Sequence, residues 1–211
     1  MARAEQAQRS SGTREVILET AERLFAERGF AATSVRDIVR DAGTSAPSLY
    51  HFFGSKENLV VELVADRHTA YCDDLEAELL SAETLFDVCQ RFVRFVLTNM
   101  SKKPITAKLI LSVMFGPQQD VPKKAVGETL VRSQEILQAR MRAVTNGISE
   151  PRLVFARMML VGMVTPAVLM FLTSDVQSFS PKLPACIAHR VVDMWADSHP
   201  ICAWPTVSVV S

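Results

Sequence analysis

Between Arg28 and Lys56 the chain is punctuated three times by a glycine with a hydroxyl residue close behind it: Gly29 before Thr33 and Ser34, Gly43 before Ser45, Gly54 before Ser55. Glycine ends helices because it enters the left-handed region without a Cβ clash, and serine or threonine starts them by accepting from a free backbone N–H. The apolar residues between these marks fall at helical intervals. Val35, Ile38, Val39 and Ala42 are spaced i, i+3, i+4, i+7, and Leu49, Phe52 and Phe53 anchor the next run. Pro47 sits in that run's first turn, where a missing N–H costs little. Helices this short have no stability of their own. The segment Arg14–Arg28 supplies the brace, with Ile17, Ala21, Leu24 and Phe25 on one face. The expectation is a three-helix unit over residues 14–60 with a helix-turn-helix at residues 34–53, preceded by a flexible arm at residues 1–13.

The rest of the chain continues in helical spacing. A fourth helix is expected from Lys56 to about Leu80, a fifth opened by Ser81 and running to about Met100, a sixth over Ile105–Phe115, and a seventh over Lys123–Val144. An eighth starts at Pro151, kinks at Pro166 and reaches about Leu172, and a ninth covers Leu183–Asp197, ahead of a tail from residue 199 to 211. The fold class is all-α, about nine helices, with residues 61–198 forming a second helical domain. The stretch Met158–Thr173 carries no charge, yet Gly162, Thr165 and Pro166 interrupt it, and a helix buried on several sides of a bundle is the expectation, not a membrane span.

Composition narrows the function classes. Lys and Arg number 23 against 23 Asp and Glu, so the chain is no blanket polycation. Cys72, Cys89, Cys186 and Cys202 form no C-x-x-C pair, which fits a reducing cytoplasm. His68 and Cys72 share a helix face but lack further ligands, so no metal and no cofactor is expected. The polar N-terminus has no apolar leader core. No glycine-rich phosphate loop, G-x-S-x-G or paired-His motif appears, and an enzyme is not expected.

Two short helices around a glycine turn suit the reading of DNA, because the first braces the second, which offers small and polar side chains to a major groove. The offered positions are Thr44, Ser45, Ala46, Ser48, Tyr50 and His51, with Thr33, Ser34, Arg36 and Lys56 placed near helix starts as phosphate donors. From Arg14 to Lys56 the charges balance, with Glu15, Glu19, Glu22 and Glu27 expected to face away from DNA and Arg3, Arg9 and Arg14 available to an arm.

The ordered string from AERLFAERGF through TSVRDI and SLYHFF to SKENL resembles the N-terminal domain of the TetR family of bacterial transcriptional regulators. The resemblance implies that Tyr50 and Lys56 contact phosphates, that Thr33 is the capping threonine that touches the backbone, and that Ser45, Ala46, Pro47 and Ser48 form the base-facing turn. Pro47 stands where Gly or Ala is commoner, and Phe52 where His or Tyr is common. The resemblance also implies a ligand-responsive repressor on a palindromic operator. The competing reading is a helical small-molecule-binding or scaffold protein without specific DNA binding.

One helix-turn-helix reads too few base pairs for a unique site, so a homodimer is expected. Helices eight and nine are the candidates for pairing, through Pro166, Met170, Ile187, Val191, Met194 and Trp195. The central helices are expected to enclose an effector pocket lined by Phe92, Phe95, Met114, Phe115, Phe155, Met159 and Met163, with Asn99, Ser112, Gln134 and Thr165 as polar contacts.

Overall fold

The computed structural model describes residues 2–115, 123–173 and 178–196, and among them it holds nine α-helices and no strand. They are α1 (Ala2–Arg28), α2 (Val35–Asp41), α3 (Ala46–Phe53), α4 (Lys56–Leu79), α5 (Leu85–Lys102), α6 (Pro104–Phe115), α7 (Lys123–Ala143), α8 (Glu150–Thr173) and α9 (Leu183–Ala196). The loop at residues 116–122 and the tail at residues 199–211 lie outside the described residues.

Two apolar clusters organise the chain. The first gathers Ile17, Leu18, Leu24 and Phe25 of α1 with Ile38, Leu49, Phe53 and the first turns of α4, all buried. The second is built from the far half of α4 with α5, α7, α8 and α9. The division at residue 60 is too sharp: α4 runs through both clusters, and Leu109 of α6 and Val126 of α7, each fully buried, belong to the first. The N-terminal three-helix unit is therefore packed onto the second unit by the same apolar contacts that stabilise it.

Three expectations need correction. The residues of the expected arm continue α1 back to Ala2, because Ala, Glu, Gln and Arg dominate there and only Gly12 weakens the run. Arg14, grouped with that arm, ion-pairs with Glu62 at 2.9 Å and lies over the Phe53 ring at 5.4 Å. The start of α5 is Thr84, not Ser81: the Thr84 hydroxyl accepts from Asp87 N at 3.1 Å, and the Asp87 carboxylate accepts from Glu83 N at 3.4 Å. Ser81 instead accepts from Arg91 Nη1 at 3.1 Å.

Helix α8 has the length and composition of a membrane-spanning helix and runs unbroken through Pro166. It is buried along one face only, by Leu153, Ala156, Leu160 and Val164. Its other face exposes Met158, Leu169 and Met170 at 60%, 41% and 51%. Helix α9 lies along α5 with Ile187, Ala188 and Val191 in the core, so Ile187 and Val191 stabilise the protomer and do not face a partner. Pro166 and Met170 are exposed as the pairing expectation requires, and the side chains of Met194 and Trp195 lie outside the described residues.

Candidate nucleic-acid interface and ligand cavity

The chain leaves α1 at Gly29, whose φ of 84° only glycine adopts without strain, and whose N–H donates to Phe25 O at 3.0 Å. The turn that follows is tied from inside. Thr33 is fully buried, and its hydroxyl donates to Gly29 O at 2.9 Å and Leu24 O at 3.3 Å. Its side chain is thus spent on the protein's own backbone and presents nothing outward, which removes it from the phosphate donors.

Lys56 closes the same turn from the other side. Its Nζ donates to Phe30 O and Thr33 O, each at 3.1 Å, and sits 4.2 Å from the Phe30 ring centroid. Two of three ammonium protons join the end of α1 to the start of α4, and one remains for a phosphate.

Ser34, not Thr33, caps α2. Its hydroxyl accepts from Asp37 N at 3.1 Å, while Asp37 Oδ2 accepts from Ser34 N at 3.1 Å. The serine hydroxyl also donates to that carboxylate, at 2.5 Å, and chiefly this bond holds the Asp37 carboxyl below the ordinary aspartate range. Ser34 is therefore occupied, and a carboxylate stands at its elbow. Arg36, one turn in, is exposed and has no ion pair among the described residues. Arg40, by contrast, is held by Asp37 at 3.1 Å and Asp41 at 3.0 Å. Among the described residues, Arg36 is thus the free cation of this helix.

Gly43, at φ 62°, turns the chain sharply into α3. Ser45 caps α3 by accepting from Ser48 N at 3.3 Å, and the two serine hydroxyls meet at 2.9 Å. Leu49 and Phe53 are buried against α1 and α4, which fixes the rotation of the helix. Ser45, Pro47, Tyr50 and His51 then face outward, with Thr44, Ala46 and Ser48 half-buried beside them. Tyr50 is 51% exposed although its ring would gain from burial. Phe52 is half-buried, with its ring 5.3 Å from His51 and 6.1 Å from Phe53, so it packs within α3 and offers no polar contact.

A cavity of about 640 Å³ opens between α1, α4, α5, α6, α7 and α8. Of the residues expected in a pocket, Phe92, Asn99, Gln134 and Thr165 line it. Phe95, Phe155, Met159 and Met163 do not; Phe95 instead sets its edge on Tyr71 at 5.0 Å and Met163 packs into the second core. The side chains of Ser112, Met114 and Phe115 lie outside the described residues.

Polar wall residues that helical spacing did not single out are Arg67, His68 and Tyr71 of α4, with Glu15 and Glu22 of α1 and Thr106 of α6. Arg67 reaches Glu15, Glu22 and Asp66, each at 3.0 Å, and Glu22 also accepts from the Thr106 hydroxyl. Glu15, Glu19 and Glu22 of α1 serve as cavity wall, whereas Glu27 pairs with Arg23, which also holds Asp41 of α2. His68 is buried, and its ring lies 3.5 Å from Cys72 Sγ. Burial, with the nearby charge of Arg132, pulls its pKa below the ordinary histidine value, so it is neutral at pH 7. Among the described residues no group of three His, Cys, Asp or Glu is placed to hold a metal.

Comparison with known proteins bears on the helix-turn-helix region and on the fold. Residues 17–63 match the family described as bacterial regulatory proteins, tetR family. Over 65 residues the chain is 49% identical to the HTH-type transcriptional repressor KstR2 of Rhodococcus jostii, covering 31% of this chain and 30% of that protein. Over 48 residues it is 56% identical to KstR2 of Mycobacterium tuberculosis, covering 23% and 24% of the two chains. The chain thus matches about a quarter to a third of the length of these curated relatives. Likeness over the whole fold extends further. The regulator FadR from Bacillus subtilis, solved in complex with stearoyl-CoA, superposes with a TM-score of 0.67 at 16% identity over 85% of this chain and 96% of that one. PfmR from Thermus thermophilus superposes with a TM-score of 0.60 at 21% identity, over 84% and 97%.

Proposed function

We propose that this chain, a member of the TetR family of bacterial regulatory proteins, is a cytoplasmic, ligand-responsive transcriptional repressor that binds a palindromic operator as a homodimer and catalyses no reaction. The observation that carries the proposal is the outward face of α3. Ser45, Pro47, Tyr50 and His51 are held in solvent by the burial of Leu49 and Phe53, with Arg36 on the neighbouring helix unpaired among the described residues. A tyrosine half in water on a helix with small residues in its first turn is poor packing, but it is a serviceable reading surface. The cavity supports ligand control. It shares α1 and α4 with the reading head, so a molecule filling it acts on helices that set the head's position.

A salt titration of binding to DNA flanking the gene tests the reading. Specific retardation that weakens steeply with salt is expected. Absence of any specific complex at low salt would leave the alternative, a helical small-molecule-binding protein without DNA recognition.

Two substitutions separate the contacts. Lys56→Ala should weaken binding to all sequences by about tenfold and reduce the salt slope by roughly one unit, because a phosphate contact carries no base information. It should also lower thermal stability, since the clasp on Phe30 O and Thr33 O is lost. An unchanged salt slope with lowered stability would make Lys56 a clasp alone. Ser48→Ala should leave the salt slope intact and change which operator is preferred. Selection from a randomised operator library checks this, and an identical consensus would contradict a reading role for Ser48.

A further inference from the structure

The cavity wall constrains the chemistry of what fills it, provided the reading of the cavity as the effector site holds. Its inner lining is hydrocarbon, from Phe92, Val96, Leu137, Val161, Val164 and Val168. Most polar groups set into the wall are already engaged. The hydroxyls of Ser133 and Thr165 donate to Leu130 O at 3.0 Å and Val161 O at 2.8 Å, Thr106 donates to Glu22, and Gln134 Oε1 accepts from Arg157. Two are not. The Tyr71 hydroxyl and the Asn99 side-chain amide line the cavity from adjacent helices, α4 and α5, and have no hydrogen-bond partner among the described residues. Tyr71 is fixed in orientation by its ring, stacked 5.8 Å from His68 and edged by Phe95. Burial raises its pKa, so the phenol keeps its proton and remains a donor.

Charge excludes as much as the free donors invite. The wall brings Glu15, Glu19, Glu22 and Asp66 against only Arg67 and Lys103. Arg67 is shared among three of those carboxylates, at 3.0 Å each. His68, neutral at pH 7, adds no cation. Of the two cations in the wall, only the exposed Lys103 is without an ion pair among the described residues. An entering carboxylate would leave water for a wall with excess negative charge. A neutral oxygen would find Tyr71 and Asn99 waiting, and leaving them unpaired is costly once water is expelled.

We infer that the effector is an uncharged apolar molecule carrying a carbonyl or hydroxyl oxygen, which Tyr71 and Asn99 bind within the cavity. The test is calorimetric titration of the full chain with three probes of matched tail: lauryl alcohol, dodecyl methyl ketone and laurate. The alcohol and ketone should bind, with laurate at least tenfold weaker. Tyr71→Phe, which keeps the ring contacts, should weaken ketone and alcohol binding roughly fivefold, with Asn99→Ala similar. Laurate binding tightest, or ketone affinity unmoved in both variants, would overturn the inference while leaving the cavity reading intact. Val164→Trp, which pushes an indole into the cavity, should abolish all binding. If no probe binds wild type, or if binding survives Val164→Trp, the cavity reading itself falls, and the inference with it.

Discussion

Replacing Leu169 and Met170 together with glutamate is expected to halve the mass of the protein in solution and to weaken binding to a full operator by roughly a hundredfold or more. The argument starts from α8. Its inner face is in the core through Leu153, Ala156, Leu160 and Val164, so the helix cannot rotate to hide its outer face. That face shows Met158, Gly162, Pro166, Leu169 and Met170, in register along the helix and exposed. A contiguous apolar stripe of this kind is unfavourable on a free surface and favourable at an isologous contact, where each residue meets the same patch on the partner. Gly162 and Pro166 keep the stripe low and let two backbones approach. Glutamate is a good helix former, so the protomer fold should survive, and an interface burying four carboxylates, two from each protomer, near a twofold axis should not. Light scattering at micromolar concentration measures the mass. The loss in affinity follows because a monomer forfeits the gain from binding two half-sites at once. A variant that remains dimeric with a wild-type circular dichroism spectrum would place the interface elsewhere.

The contrast between α8 and α9 shows where a sequence stops being readable. Both carry apolar stripes, and periodicity identifies each. Which way a stripe faces is a matter of what lies opposite. For α9 it is α5, whose Val88, Phe92 and Val93 belong to the same buried cluster as Ile187 and Val191. For the outer face of α8 it is nothing within the described residues of the protomer. The end of α1, the two short helices and the start of α4 were legible because their determinants are local: a capping serine, a glycine at positive φ and a short apolar face. Lys56 was legible only as a charge at a helix start, since its partners are carbonyls 23 and 26 residues away. The cavity wall was least legible. Glu15 and Glu22 occupy the polar face of an amphipathic helix, and nothing in their spacing distinguishes a solvated face from one meeting Arg67, 52 and 45 residues on.

That ion cluster sets the second large effect. Arg67→Met should lower the melting temperature by about 5–10 °C, corresponding to about 2–3 kcal/mol for a chain of this size. The guanidinium joins α4 to α1 through Glu15 and Glu22, and Glu22 reaches α6 through Thr106. The Glu22 side chain is only 12% exposed, so removing its partner leaves a poorly hydrated carboxylate with the Thr106 hydroxyl and no counter-charge. Glu15 and Asp66, at 44% and 42% exposure, recover water and lose little, which keeps the expected cost below that of a fully buried pair. The double variant Arg67→Met, Glu22→Gln should therefore regain much of the lost stability, because the amide that replaces the carboxylate needs no counter-charge. Arg67→Lys should fall between, its single ammonium unable to serve three carboxylates in a fork. Thermal unfolding of wild type, Arg67→Met, Glu22→Gln and the double variant measures the cycle, with Arg67→Lys beside it. A shift under about 2 °C for Arg67→Met would mean that solvent screens the cluster. The same cycle without recovery in the double variant would mean that the arginine acts through packing of its stem and not through its charge.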